Sequence, residues 1–279
     1  MSNSIRVVEQ QKGKGAAVTS VRQLFQKPTI KRKVVALIEG PDDKECYGHL
    51  LSSSSVFLLP INIRFHEYVV NTLDAVYPTK LISIKDADFC HANNVGTGHQ
   101  NMFHTDAHDL ETMMLKGGNL SALAVEYSGL TAGIDENALC DALLKYSYLK
   151  WYNYNERTKL AFWKLNTVDL FEKGRLNDSV ALFTELCNCS SKHQAVYNDY
   201  LTFCQNHPIV DIWFVTNGHD LMDCIYSEMH KRKRGNLPKD EVIKSFYKNY
   251  SIEMFQKTEL YAQLSAWGEQ NGRALFVAA

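Results

Sequence analysis

The chain has 279 residues, 45% of them hydrophobic and 22% charged, with a net charge of −1. That content excludes a disordered chain and allows a packed core, while the near-zero charge excludes a whole-protein basic field, so any nucleic-acid contact must come from local patches. No apolar stretch approaches the roughly 20 residues of a membrane helix. The odd count of seven cysteines, with no signal-peptide core at the N-terminus, points to reduced thiols in a cytoplasmic protein.

Residues 1–30 are polar and basic, with Gly13 and Gly15 interrupting any pattern, and read as a loose tail with a short helix around Val21–Phe25. The basic run Lys31-Arg32-Lys33 follows. Val34-Val35-Ala36-Leu37-Ile38 is then an unbroken, β-branched-rich run, the pattern of a strand buried on both faces in a parallel sheet. It ends in Glu39-Gly40-Pro41-Asp42-Asp43, where Asp42 is the expected N-cap of a helix carrying Cys46, Tyr47, Leu50 and Leu51. Val56–Pro60 reads as a second strand, and 66–77 as a helix with Tyr68, Val69, Leu73 and Val76 on one face. Lys80–Lys85 is a third strand, running into Asp86-Ala87-Asp88. After a polar loop at 92–101, Asn101–Thr105 reads as a short strand, followed by Asp106, Asp109 and Glu111 and a helix closed by Gly117-Gly118.

From 119 to 207 apolar residues recur at helical spacing, indicating a helical insertion. Ile209–Val215 reads as a strand returning to the sheet, ending at Asn217-Gly218-His219-Asp220 and followed by a helix and the basic run His230-Lys231-Arg232-Lys233-Arg234. The remainder is again helical in pattern. The expected organisation is therefore a tail (1–30), an α/β core (31–118), a helical insertion (119–207), the last strand and helix of the core (208–235) and a C-terminal helical segment (236–279).

Three strand ends thus deliver carboxylates to one edge of an expected Rossmann-like, mostly parallel sheet, where open α/β sheets place their sites. A lone Asp-x-Asp is most often a turn or cap. Two like charges about 4 Å apart repel by roughly 4 kcal/mol at an effective dielectric near 20, so converging acids need a cation or raised pKa values. Oxygen ligands without a His or Cys pair favour Mg²⁺, or Mn²⁺, over zinc.

Glu39-Gly-Pro-Asp-Asp43 after one strand and Asp86-Ala-Asp88 after a later one resemble the toprim signature. Phe103–Glu111 and Val215–Leu221 resemble stand-alone bacterial toprim proteins of the OLD and PARIS type, often encoded beside an ABC-type ATPase. The resemblance implies that Glu39 is the general acid/base or a metal ligand, and that Asp86 and Asp88 hold Mg²⁺. Asp43 stands either beside the ligands or merely at a helix N-terminus; Asp106 and Glu111 either support a second ion or cap and charge a helix. His108 and His219 either contact phosphate or are structural hydrogen-bonding residues, and Lys85, Lys231, Arg232, Lys233 and Arg234 are candidates for the nucleic-acid backbone.

The function so implied is an Mg²⁺-dependent nuclease, the effector of an anti-phage defence system. It is held inactive by its partner ATPase and, once released, cleaves host RNA, with tRNA favoured, to stop translation. The resemblance leaves a homodimer open for the active state. Two other readings stand beside it: a DNA-nicking toprim nuclease, and a non-catalytic docking subunit of an ATPase complex. The chain carries no P-loop, so ATP dependence would come from another chain.

Overall fold

The computed structural model describes residues 2–209, 211–233 and 236–277, with side chains from residue 13 onward. Val210 of the expected last strand and Arg234 of the basic run lie outside the described residues. In chain order the elements begin with α1 (Ser2–Gln26), β1 (Val34–Ile38), α2 (Pro41–Leu50), β2 (Val56–Pro60), α3 (His66–Leu73), β3 (Leu81–Lys85), β4 (Met102–His104) and α4 (Leu110–Leu115). Helices follow: α5 (Leu120–Leu123), α6 (Ser128–Thr131), α7 (Glu136–Glu156), α8 (Thr167–Glu172), α9 (Ser179–Cys189) and α10 (Tyr197–Asn206). The chain closes with α11 (Gly218–Arg232), α12 (Lys239–Asn249), α13 (Ile252–Phe255) and α14 (Glu259–Gln270).

Two compact units result. The first comprises Met1–Asp86, Gly96–Asp106 and Phe246–Ala279; the second comprises Ala87–Val95 and Ala107–Ser245. The first unit contains the sheet, four parallel strands in the order β2-β1-β3-β4. Every residue of β1 is buried, as its unbroken apolar run requires. From β1 the chain moves to β2 on one side, and from β3 to β4 on the other. The order therefore reverses between β1 and β3, the switch point at whose C-terminal strand ends open α/β sheets place their ligands. This is an α/β, Rossmann-like architecture, as the sequence predicts.

The expected loose tail is helical. α1 is kinked at Gly13, whose φ of 72° is a conformation glycine takes without strain. Beyond the kink, Ala17, Val18, Val21, Leu24 and Phe25 are buried against Val69, Val70 and Leu73 of α3 and residues of β1, β2 and β3. Spacing of three and four residues places these side chains on one face; the basic character of residues 1–30 masked that stripe. α3 is shorter than 66–77 and buries Val69, Val70 and Leu73, while Tyr68 and Val76 are exposed. The first unit is completed by Tyr250, Phe255, Leu260, Leu264 and Trp267, buried in the last stretch of chain.

The second unit is helical around α7, whose Leu139, Cys140, Leu143, Tyr146, Leu149, Trp151 and Tyr152 are buried. The expected strand at 209–215 is not one. Ile212–Phe214 is a 3₁₀ turn, and the described residues of the segment join no sheet. The Asp211 carboxylate accepts the Trp213 N–H at 3.0 Å and pairs with Lys116 at 2.7 Å, and Thr216 Oγ1 donates to Ile212 O at 2.9 Å. Side chains that bond their own backbone compete with a β-ladder, and here they win over the apolar run. Among the described residues no helix is long and apolar enough to cross a membrane, and all seven cysteines are free thiols.

Candidate functional site

In the first unit, Glu39 and Asp86 follow directly on β1 and β3, the adjacent strands at which the order reverses. Glu39 Oε1 accepts the Asp86 N–H at 2.9 Å, so the glutamate is anchored to the neighbouring strand end. Asp43 is engaged at the start of α2. Its Oδ2 accepts the N–H groups of Glu39 and Gly40 at 2.8 and 3.1 Å, closing the N-terminus of α2. The observed N-cap is Gly40 rather than Asp42. Burial pushes the Asp43 carboxyl up from its ordinary value, opposed by these N–H donors and reinforced by the charge of Asp42. Lys85 ends β3 and is half-buried.

Asp106, a candidate second-ion ligand, is committed elsewhere. Its two oxygens accept the N–H groups of Glu259 and Leu260 at 2.5 and 2.7 Å, at the start of α14. Those donors have no partner within the helix, and the positive end of the helix dipole favours a carboxylate there.

In the second unit, Asp88 has φ +47°, a left-handed backbone that costs non-glycine residues free energy and collects at functional positions. Its N–H donates to His108 O at 2.6 Å, which holds this conformation. His108 is 4% exposed, so it is an internal residue and not a phosphate contact. Its Nδ1 lies 3.1 Å from Asp109 Oδ2, its ring meets Phe89 edge to face, and its Nε2 is buried without a partner.

Asp109 is the residue the sequence reading passed over as one more acid. It caps α4 through the Thr112 N–H, and its Oδ2 accepts the Gly218 N–H at 2.6 Å. Burial works to raise its carboxyl, but His108 and the N–H groups of Gly218 and Thr112 outweigh that and hold it below the ordinary carboxylate value. Asp109 thereby ties the 106–111 motif to the 217–220 motif. The sequence signal was the recurrence of His-Asp-Leu at 108–110 and 219–221.

Glu111 lies in the first turn of α4 and is buried, with its Oε1 3.9 Å from Nδ1 of His219. His219 itself is 75% exposed. Asp220, part of the same turn, points into the helical unit, where it meets Lys150 Nζ and accepts from Thr167 Oγ1 at 3.0 Å.

Two described residues of the basic run, Lys231 and Arg232, are exposed and make contacts with neighbouring parts of the chain. Lys231 pairs with Glu228 at 2.9 Å and lies over the Phe171 ring, and Arg232 donates to the carbonyls of Leu130 and Ala132. Lys233, half-buried, follows the end of α11. The helix C-terminus explains the basic residues: cations are favoured beside its unpaired carbonyls.

Among the described residues, no group of three or more His, Cys, Asp or Glu side chains is arranged to hold a metal ion. Mg²⁺, however, is ordinarily held by one or two carboxylates, with waters and substrate phosphates completing its shell. The oxygen donors at the tips of β1 and β3 fit that chemistry. Comparison of the chain with protein-family models, with curated proteins and with solved structures finds no match.

Proposed function

We propose that this chain is a metal-dependent phosphodiesterase of the toprim type acting on nucleic acid. The observation that carries the reading is the Glu39–Asp86 pair, at the C-terminal ends of the two strands flanking the topological switch point and joined by a 2.9 Å hydrogen bond. Glu39 is the proton-transferring group; the bond to the Asp86 N–H fixes its carboxylate beside the tip of β3. Asp86 would hold Mg²⁺, or Mn²⁺, and the Asp-x-Asp pattern adds Asp88 to that set. When bound, the ion would neutralise phosphate charge and lower the pKa of a coordinated water. His219, exposed beside Glu111, is the second group suited to a phosphate. The sequence resemblance extends the proposal to a tRNA-cleaving anti-phage effector restrained by an ABC-type ATPase.

Glu39→Gln tests the core of this reading. Cleavage should fall by roughly 10²–10⁴-fold, the usual loss on removing a general acid or base, with an unchanged circular-dichroism spectrum and melting temperature. Wild type and variant are offered tRNA, single-stranded DNA and supercoiled plasmid, which separates the substrate classes. Equal rates in the two proteins would remove Glu39 from the chemistry. Calorimetry with Mg²⁺ and Mn²⁺ separates the nuclease from a docking subunit, which needs neither ion.

A further inference from the structure

Beyond the strand tip the chain builds a cavity that the phosphodiester chemistry does not use. It has a volume of about 120 Å³ and lies wholly within the second unit. His91, Asn94, Trp151, Pro208, Asp211 and Phe214 line it. The rings of His91 and Phe214 lie together, with centroids 5.0 Å apart and planes at 35°, and form an aromatic wall. Trp151 adds a second aromatic surface, its ring set against Phe203 and its Nε1–H donating to Asn93 Oδ1 at 2.8 Å. Asn94 and Asp211 bring an amide and a carboxylate to the same space.

These groups are held in place. The carboxylate of Asp211 is fixed by Lys116 Nζ at 2.7 Å and by the Trp213 N–H at 3.0 Å. Lys116 Nζ also lies 5.0 Å from the centre of the Phe214 ring. Asn93 exchanges hydrogen bonds of 2.9 and 3.1 Å with Asn155 of α7, pinning the loop that carries His91 and Asn94. That loop begins immediately after Asp88 in the chain.

We infer that this cavity binds a single nucleobase of a nucleic-acid strand. Pockets for drug-sized ligands occupy about 300–1,000 Å³; this one, at about 120 Å³, has room for one small ring system. Aromatic faces combined with an amide and a carboxylate at the edge are the chemistry that recognises an unstacked base, by stacking and by hydrogen bonds to its exocyclic and ring N–H groups. The inference rests on the nuclease reading for the class of its ligand.

Saturation-transfer NMR on the full chain tests it without requiring turnover. The probes are adenosine, guanosine, cytidine, uridine and thymidine, with N-acetyltyrosinamide as the aromatic side-chain control. At least one nucleoside should receive saturation, its base protons more strongly than its sugar protons. Phe214→Leu keeps the apolar volume and removes the ring. Asn94→Gly removes the amide at a position whose φ of 54° glycine accepts freely. Each should weaken that binding by about tenfold, in the range of losing one stacking partner, and Glu39→Gln should bind as wild type. Saturation of no nucleoside, wild-type binding by both Phe214→Leu and Asn94→Gly, or saturation of N-acetyltyrosinamide alone would overturn the inference. If a nucleoside binds in this Phe214-dependent way while wild type cleaves nothing, the base site stands and the nuclease reading falls. If wild type cleaves and no nucleoside binds, the reverse holds.

Discussion

At Gly218 a methyl group has no space. A Cβ built there lies 2.2 Å from Asp109 Oδ1 and 2.6 Å from Glu111 Cβ. Both neighbours belong to the capped first turn of α4 and cannot swing aside as the end of a flexible chain would. Gly218→Ala should therefore destabilise the protein by roughly 1–3 kcal/mol, the usual consequence of forcing a methyl into packed surroundings, measured by urea denaturation. His66 offers a prediction in pH. Burial lowers its pKa from 6.5 to about 4, helped by the charge of Lys85 and opposed by hydrogen bonds to Ile61 and Ile38. Between those values the unfolded chain binds a proton that the folded chain refuses, so the folded state is favoured less as pH falls from 6.5 towards 4. The two pKa values differ by 2.5 units, or about 3 kcal/mol at 1.36 kcal/mol per unit. Denaturation at neutral pH and near pH 4 should show a drop of this order in wild type, and a smaller one in His66→Asn. Neither residue's behaviour was legible in the chain: Gly218 reads as turn punctuation and His66 as a helix-start histidine until the tertiary neighbours are in place.

Among the elements, α14 shows how one acid acquires a structural task. Asp106 sits after β4, where a metal-ligand reading was open, but its carboxylate satisfies two N–H groups of a helix more than 150 residues later in the chain. Asp106→Ala should cost about 0.5–2 kcal/mol of stability, as loss of a capping group does, and leave the Mg²⁺ or Mn²⁺ affinity unchanged in calorimetry. A lost metal affinity would return Asp106 to the set of ligands. The strands and α2 were readable because a short β-branched run closed by Gly-Pro carries its own start and stop. The segment Ile212–Phe214 was misread for a related reason. Periodicity cannot separate a short apolar run in a sheet from one in a turn, and the deciding bonds come from Asp211 and Thr216 within the segment itself.

At the scale of the molecule, the units interleave along the chain. The sequence suggests consecutive segments, with 236–279 as a terminal addition, whereas the first unit draws on Met1–Asp86, Gly96–Asp106 and Phe246–Ala279. Its boundaries with the second fall inside the two acidic motifs, after Asp86 and after Asp106. A chain ending at Ser245 would lose the buried Tyr250, Phe255, Leu260, Leu264 and Trp267. At about 1.5–3 kcal/mol per large buried side chain, that deficit is comparable with the whole stability of an ordinary domain. Such a truncated chain should lose the far-UV signal of the first unit and aggregate; a cooperative melting transition matching wild type would show that the terminal helices are dispensable.

The sequence by itself determined the class of the fold, three of its four strands almost to the residue, and the acids that follow β1 and β3. Each of these is a local property: a run of apolar β-branched residues, a breaker, a carboxylate. Only the tertiary structure decided which acids have work elsewhere, because a carboxylate's task depends on which N–H groups reach it. It placed Glu39 against the Asp86 N–H, turned Asp43 and Asp106 to helix ends, buried His108, and joined Asp109 to Gly218 across more than a hundred residues of chain.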